Sequence, residues 1–471
     1  MRTSQLALFT SLLASVAFFA HAAPAFKHIL IVDQENRTPD NIFGSNPTFE
    51  PGVDIQNSGV NSKGQTIQFT PVALNGCYDI SHAHTAFEAM LNHGADQEKT
   101  SLNKGCKLPA NPQFKYIDNS AGVVQPYFDI ATSYGFANQM FQTNQGPSFP
   151  SHQFIFGGTS SPSTESSLFA SENMGLGKSV AGCIGPVGQT VKLIDSYGNE
   201  SSNAPIFPCF ERPTMGDLLD TAGIGWRYYA PSPGSIWTAP DAISHICVPA
   251  MKHGKLQCTG TEWTNNVVAN NPAQVLTDVQ NCNLRAVSWV IPTAEESDHA
   301  GINSALGPGW VTMIVNAIGQ QPTCSSGENY WNDTAILITW DDWGGWEDHV
   351  KPLAVNVQTQ GGQPQWGDGY TYGFRVPLLV VSAYTQAGTV SNTPYDFGSV
   401  LYFIEQNFGL GYIGPCDTIY SCYADYQAQS RGPLSDFFNL GTARSFVAIP
   451  TKMRAKDFID APRSGLPPDD D

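Results

Sequence analysis

From Ala23 onward the chain has no apolar run approaching the ~18 residues that a membrane-spanning helix needs. It has no repeat at a fixed period, no low-complexity tract to act as a linker, and no CxxC pair of the kind that structural zinc sites use. Basic residues are scarce: 23 Lys and Arg stand against 41 Asp and Glu, a formal charge of −18. Such a surface repels phosphate backbones and anionic membranes, which argues against a stable nucleic-acid partner and against stable membrane insertion. It also means that an anionic substrate would need a cation at its binding site.

The 471 residues are 41% hydrophobic and 11% aromatic, enough for a large ordered core. At the N-terminus, Arg2, the apolar run Leu6 to Ala20 and the small-x-small sequence Ala20-His21-Ala22 read as a signal peptide over residues 1–22. Residues 23–460 read as a single domain, and 461–471, ending in three aspartates, as a flexible acidic tail. Secretion, extracellular or periplasmic, suits the ten cysteines, an even number expected to form disulfides. Cys416 and Cys422, with five residues between them, are expected to bridge locally, while spacing leaves the pairing of the other eight open.

Four short apolar, branched runs have the character of buried strands: Lys27–Val32, Arg285–Ile291, Thr334–Thr339 and Phe374–Ser382. Helical patterns at Pro126–Phe141 and Trp310–Ile318 lie between them. The alternation predicts an α/β fold with a mainly parallel central sheet flanked by helices, and the Ser- and Gly-rich stretch Ser160–Ser202 predicts a loop-rich insertion. In such sheets ligands bind at the carboxyl ends of the strands. Three of these strands run into polar clusters there: Asp33 to Arg37, Glu295 to His299, and Trp340 to Gly345.

Asp341 and Asp342 are adjacent carboxylates after a buried strand, and they repel one another unless a cation or a proton sits between them. A hard cation wants several oxygen ligands, which Glu35 and the amide oxygen of Asn36 can supply. An ordinary surface turn is the bland alternative. Ser148 is held in the tight sequence Gly146-Pro147-Ser148-Phe149-Pro150, which can present a hydroxyl rigidly, and a nearby metal could activate it. His82 and His84 follow Asp79, while His299 and His349 each follow a strand-end acidic cluster. Trp340, Trp343, Trp346 and Trp366 are either core residues or the aromatic rim of a site, and Thr359–Gly369 is either a mobile loop at that rim or a plain connector.

These segments, in order, resemble the phosphoesterase family that contains bacterial phospholipases C, non-specific phospholipases C and acid phosphatases and is related in fold to alkaline phosphatase. Gln34 to Thr38 through Phe43-Gly44 resembles its QENR(S/T)xDxxFG opening, and Asp79-x-x-His82 its DxxH element. Gly146 to Pro150 is similar to its GP(S/T)xPN nucleophile segment, and Ser297-Asp298-His299 to its SEH element. Trp340 to Val350 resembles its DExGGxxDHV block, Gly373 to Ser382 its GxRVPxxxxS strand, and Asp396 to Phe408 its closing DxxSxxxxIExxF segment. The likeness runs from about His28 to Leu410.

The resemblance implies a divalent metal, of unspecified identity, bound by Glu35, Asn36, Ser148, Asp341 and Asp342. Ser148 would also be the nucleophile, and His82, His299 and His349 would contact phosphate oxygens or move the leaving-group proton. It implies hydrolysis of phosphate esters through a phosphoserine, acid phosphatase-like, with a small phosphate ester as substrate. The alternative is a phospholipase C acting on phospholipid headgroups, and the reading from another class is a secreted metal- or phosphate-binding protein without turnover. The sequence departs from the pattern at Ser151-His152, where the family usually has Asn-Arg, at Asp342, where many members have Glu, and at Asp298, which replaces Glu. The first of these implies a changed contact next to the nucleophile.

Overall fold

The computed structural model describes residues 24–95, 100–175, 180–195, 197–201, 205–354, 371–414, 423–428 and 432–461. The expected signal peptide, most of the acidic tail, Cys416, Cys422 and the Trp366 segment lie outside these residues.

An eight-stranded sheet organises the chain. Its strands are β1 (His28–Gln34), β2 (Gly135–Ala137), β3 (Trp226–Ala230), β4 (Val267–Ala269), β5 (Val287–Val290), β6 (Thr334–Trp340), β7 (Leu378–Ser382) and β8 (Thr389–Ser391). They lie in the order β4-β3-β5-β1-β6-β7-β2-β8. From β4 through β6 all neighbours are parallel. The pairs β6–β7 and β7–β2 are antiparallel, and β2–β8 is parallel again. The mainly parallel α/β architecture is therefore present. Every residue of β1, β5, β6 and β7 is buried, as expected of strands covered on both faces, and this explains why their sequences are continuous apolar runs.

Two boundaries differ from the sequence reading. The run expected to begin a strand at Phe374 enters the sheet only at Leu378, because Pro377 has no N–H to donate to a ladder. The helix expected over 126–141 spans Gln125–Ser133 and stops before Gly135, where β2 begins; a β-carbon on Gly135 would stand 2.8 Å from the Phe437 ring. The helix Gly307–Gln320 matches its expected position. In the Ser160–Ser202 insertion the described strands are two residues long, Phe169–Ala170 pairing with Leu193–Ile194. Cysteines pair as Cys77–Cys106, Cys183–Cys209, Cys247–Cys258 and Cys282–Cys324. Among the described residues no helix is long and apolar enough to cross a membrane.

Candidate active site

The register of β1 and β6 brings two of the polar clusters together. Asp33 pairs with Thr339 and Gln34 with Trp340, so the two strands end level, and the Asp341 N–H donates to the Gln34 carbonyl at 3.0 Å. Asn36 then turns with a positive φ of 60°, a conformation asparagine tolerates, and its N–H donates to Asp341 Oδ1 at 3.0 Å. Asp342 Oδ1 accepts from the Gly344 N–H at 2.7 Å, which orients the carboxylate and sets its other oxygen toward Ser148.

Ser148 opens the helix Ser148–Gly157. The approach to it is tightly built. A β-carbon on Gly146 would meet the Ser171 carbonyl at 2.0 Å, Asn144 Nδ2 donates to the Gly146 carbonyl at 2.7 Å, and the Phe149 N–H donates to Asn173 Oδ1 at 3.0 Å. This places the Ser148 hydroxyl 3.3 Å from Glu35 Oε2 and 3.4 Å from Asp342 Oδ2. Glu35, Asn36, Ser148, Asp341 and Asp342 are all fully buried. The structure thus brings together every residue expected to hold the metal.

Two further members of this group escaped the sequence reading. His152, one helical turn beyond Ser148, puts Nε2 3.2 Å from Glu35 Oε1 and 3.9 Å from Asp341 Oδ2, and Nδ1 3.3 Å from Asp33 Oδ2. The available signals were the i, i+4 spacing and the departure from Asn-Arg. Asp33 opens the polar cluster after the first apolar run but was given no role there, and it is a fully buried carboxylate. Burial, and then the charge of Asp341, hold Asp33 well above the usual carboxylate range. Burial and the charges of Asp341, Asp33 and Asp342 do the same to Glu35. His152 is pushed down to about 4 by burial, against the pull of Asp341.

This donor set suits a divalent cation. Carboxylates crowded in a buried space raise one another's proton affinity, and a cation relieves that repulsion. The spacing points the same way. Charge-assisted hydrogen bonds close to about 2.7–2.9 Å, whereas groups sharing one ion at ~2.1 Å stand roughly 3–3.5 Å apart. The contacts of Glu35 Oε2 and Asp342 Oδ2 with Ser148, and of Glu35 Oε1 with His152, measure 3.3, 3.4 and 3.2 Å. One ligand atom each from Glu35, His152 and Asp341 lie within 4.8 Å of one another.

The histidines divide. His82 sits beside the centre: its Nδ1 bonds the Ile80 carbonyl at 2.9 Å, so Nε2 accepts from Asn36 Nδ2 at 3.0 Å. That contact fixes the Asn36 amide with its oxygen turned away from His82. The ring of His299 lies 6.0 Å from that of His82, with Nδ1 held by the Ala300 carbonyl at 2.6 Å. His349 is placed elsewhere. Its Nδ1 bonds Asp40 Oδ2 at 2.6 Å and its Nε2 bonds Asp54 Oδ1 at 3.0 Å, in a network where Arg375 also bridges Asp348. Asp298 is likewise a support, accepting from the Tyr127 hydroxyl at 2.7 Å and the Trp340 indole at 3.1 Å. Trp340, Trp343 and Trp346 are buried core residues and form no aromatic rim.

Fold and site together define an α/β protein whose central strands end in a buried acidic centre, fit to hold a cation against a serine hydroxyl. Residues 26–411 match the model of the Phosphoesterase family, and the chain belongs to that family. It is 23% identical over 431 residues to the hemolytic phospholipase C of Pseudomonas aeruginosa, covering 82% of this chain and 53% of that one. It is also 23% identical over 444 residues to the non-hemolytic phospholipase C of the same organism, covering 85% and 58%. The chain therefore spans little more than half the length of these curated relatives. A crystal structure of an alkaline phosphatase superfamily protein from Vibrio parahaemolyticus aligns over 85% of this chain and 70% of that one, at 8% identity and a TM-score of 0.37.

Proposed function

We propose that the chain is a metal-dependent phosphoesterase, acid phosphatase-like, in which Ser148 is the nucleophile. The observation that carries this reading is the Ser148 hydroxyl at the mouth of a ten-residue helix, 3.3 Å from Glu35 and 3.4 Å from Asp342. A helix N-terminus favours an anion, so a phosphoryl group arriving at Ser148 meets partial positive charge. Bound by Glu35, Asn36, Asp341 and Asp342, a divalent ion would lower the proton affinity of the hydroxyl and offset phosphoryl charge.

Ser148 Oγ forms the bond to phosphorus as the ester oxygen leaves. Water then displaces the serine oxygen, which releases phosphate and restores the hydroxyl. In this reading His82 and His299 would contact phosphoryl oxygens or pass the leaving-group proton, His82 by giving up the contact of its Nε2 with Asn36. His349 has no part in this reading, because both its ring nitrogens are engaged by carboxylates of another network.

A small phosphate monoester is the substrate in the first reading. A second, phospholipase C activity on phospholipid headgroups, is favoured by the names of the relatives, and the burial of Trp340, Trp343 and Trp346 removes one support for it. Four disulfides support secretion to an oxidising compartment, extracellular or periplasmic, of a single domain over residues 23–460. The test pairs p-nitrophenyl phosphate with p-nitrophenylphosphorylcholine, each with and without chelator. Chelator-sensitive release from the monoester alone supports the first reading, and preference for the choline diester supports the second. Release from neither, with metal bound, would leave a capture protein.

A further inference from the structure

We propose that His152 is itself a ligand of the metal, through Nε2, and that Asp33 is the positioning residue that holds its ring. The inference rests on the reading of Glu35, Asn36, Asp341 and Asp342 as a metal site, and adds a nitrogen donor to that oxygen set.

The geometry carries it from three sides. His152 lies in the middle of the helix that Ser148 opens, four residues on, so both side chains face the end of β1. Its Nε2 stands 3.2 Å from Glu35 Oε1, at the separation of two groups sharing one ion, and is wider than the ~2.7–2.9 Å to which an imidazolium–carboxylate pair closes. Behind the ring, the carboxylate of Asp33 lies 3.3 Å from Nδ1, and among the described residues neither Nδ1 nor the Asp33 side-chain oxygens have any other side-chain hydrogen-bond partner. A fully buried carboxylate with so little to do otherwise is explained by the arrangement in which a carboxylate orients a metal-bound histidine and raises the basicity of its far nitrogen.

The departure from the family pattern gains a meaning here. The resemblance would place an arginine at this position, and a guanidinium has only N–H donors and no lone pair for a metal. The imidazole found instead can ligate. A mixed oxygen and nitrogen set shifts preference from calcium and magnesium toward borderline ions such as zinc or ferrous iron.

Pulsed EPR on the full mature chain, stripped of metal and loaded with one equivalent of Mn²⁺, tests this directly. Wild type is expected to show a nitrogen coupling that changes on labelling with ¹⁵N-histidine. His152→Gln should bind Mn²⁺ about 10- to 100-fold more weakly and lose the coupling, while Asp33→Asn should keep the coupling and lose affinity by about tenfold or more. His82→Gln should keep the coupling. Bound Mn²⁺ without nitrogen coupling in wild type, or a coupling that survives in His152→Gln, overturns the ligand assignment and leaves the oxygen site standing. If wild type takes up neither Mn²⁺ nor Zn²⁺, the metal reading itself falls, and this inference with it. If His152→Gln fails to fold, a wild-type coupling that persists in both His82→Gln and His299→Gln assigns the nitrogen to His152, and one lost in either variant overturns the assignment.

Discussion

Gly344 passes so close beneath Asn36 that a β-carbon on it would stand 2.3 Å from the Asn36 carbonyl oxygen and 2.8 Å from its Cβ. Both residues have positive φ, 62° for Gly344 and 60° for Asn36. The loop after β6 is thereby pressed onto the loop after β1, which is what puts Asp341 and Asp342 opposite Glu35.

Gly344→Ala should therefore damage the centre without replacing a proposed ligand. The left-handed backbone alone costs roughly 1–2 kcal/mol for a residue with a β-carbon, and the contact with Asn36 adds to it. The expected result is a lower midpoint in thermal unfolding together with weaker metal binding by calorimetry. Wild-type metal affinity in a folded Gly344→Ala protein would contradict this account of how the loops are locked.

Ser148→Ala should abolish turnover while leaving the fold intact, since the hydroxyl packs against carboxylates and carries no structural hydrogen bond to the main chain. Loss of a nucleophile costs at least about 10³-fold in kcat. Rapid acid quench of wild type with a ³²P-labelled monoester should trap label on protein, and the variant should trap none. Undiminished turnover in Ser148→Ala would move the nucleophile elsewhere.

The sequence and the structure agree on what strands and their ends can say. Buried parallel strands are apolar on both faces, so β1, β5 and β6 stood out, and polar residues after them stood out by contrast. His152 did not, and Asp33, though one of those polar residues, gave no sign of its partner. His152 is a polar residue inside a helix whose other nine positions are also buried, so no amphipathic pattern marked its direction. Asp33 proves to lie inside β1, and its role is visible only once the neighbouring helix is known to bring an imidazole to it. His349 shows the reverse failure. It follows an acidic cluster in sequence, but its ring is held by Asp40 and Asp54, which lie in the segment after β1, some 300 positions earlier in the chain.

A histidine locked between two carboxylates supports the fold, whereas one beside the centre supports the chemistry, and the two separate by experiment. His349→Gln should lower the unfolding midpoint and leave kcat within about threefold, because the substitution touches the Asp40–Arg375 network and not Ser148. His82→Gln should reduce kcat by roughly 10²- to 10⁴-fold, the usual worth of a positioned acid or base, with a smaller change in stability. Equal kcat losses in both would restore His349 to the site.

The final prediction concerns Glu405, in the helix Phe397–Phe408, which packs against the helix that Ser148 opens. Burial, then the neighbouring carboxylate of Asp425, push Glu405 up to about 11. The folded protein therefore keeps this carboxyl protonated across the neutral range, whereas the unfolded chain releases the proton above about 4.3. The folded value lies above the unfolded one, so the stability linked to this proton is fully present at pH 4 and drains away as pH rises toward 11. The loss can reach about 1.4 kcal/mol per pH unit. Glu405→Gln keeps the shape and carries no titrating proton. In urea unfolding, the variant should match wild type near pH 4.5 and become progressively more stable than it toward pH 8. Parallel curves over that range would mean that Glu405 is ionised in the fold and paired by a group other than Asp425.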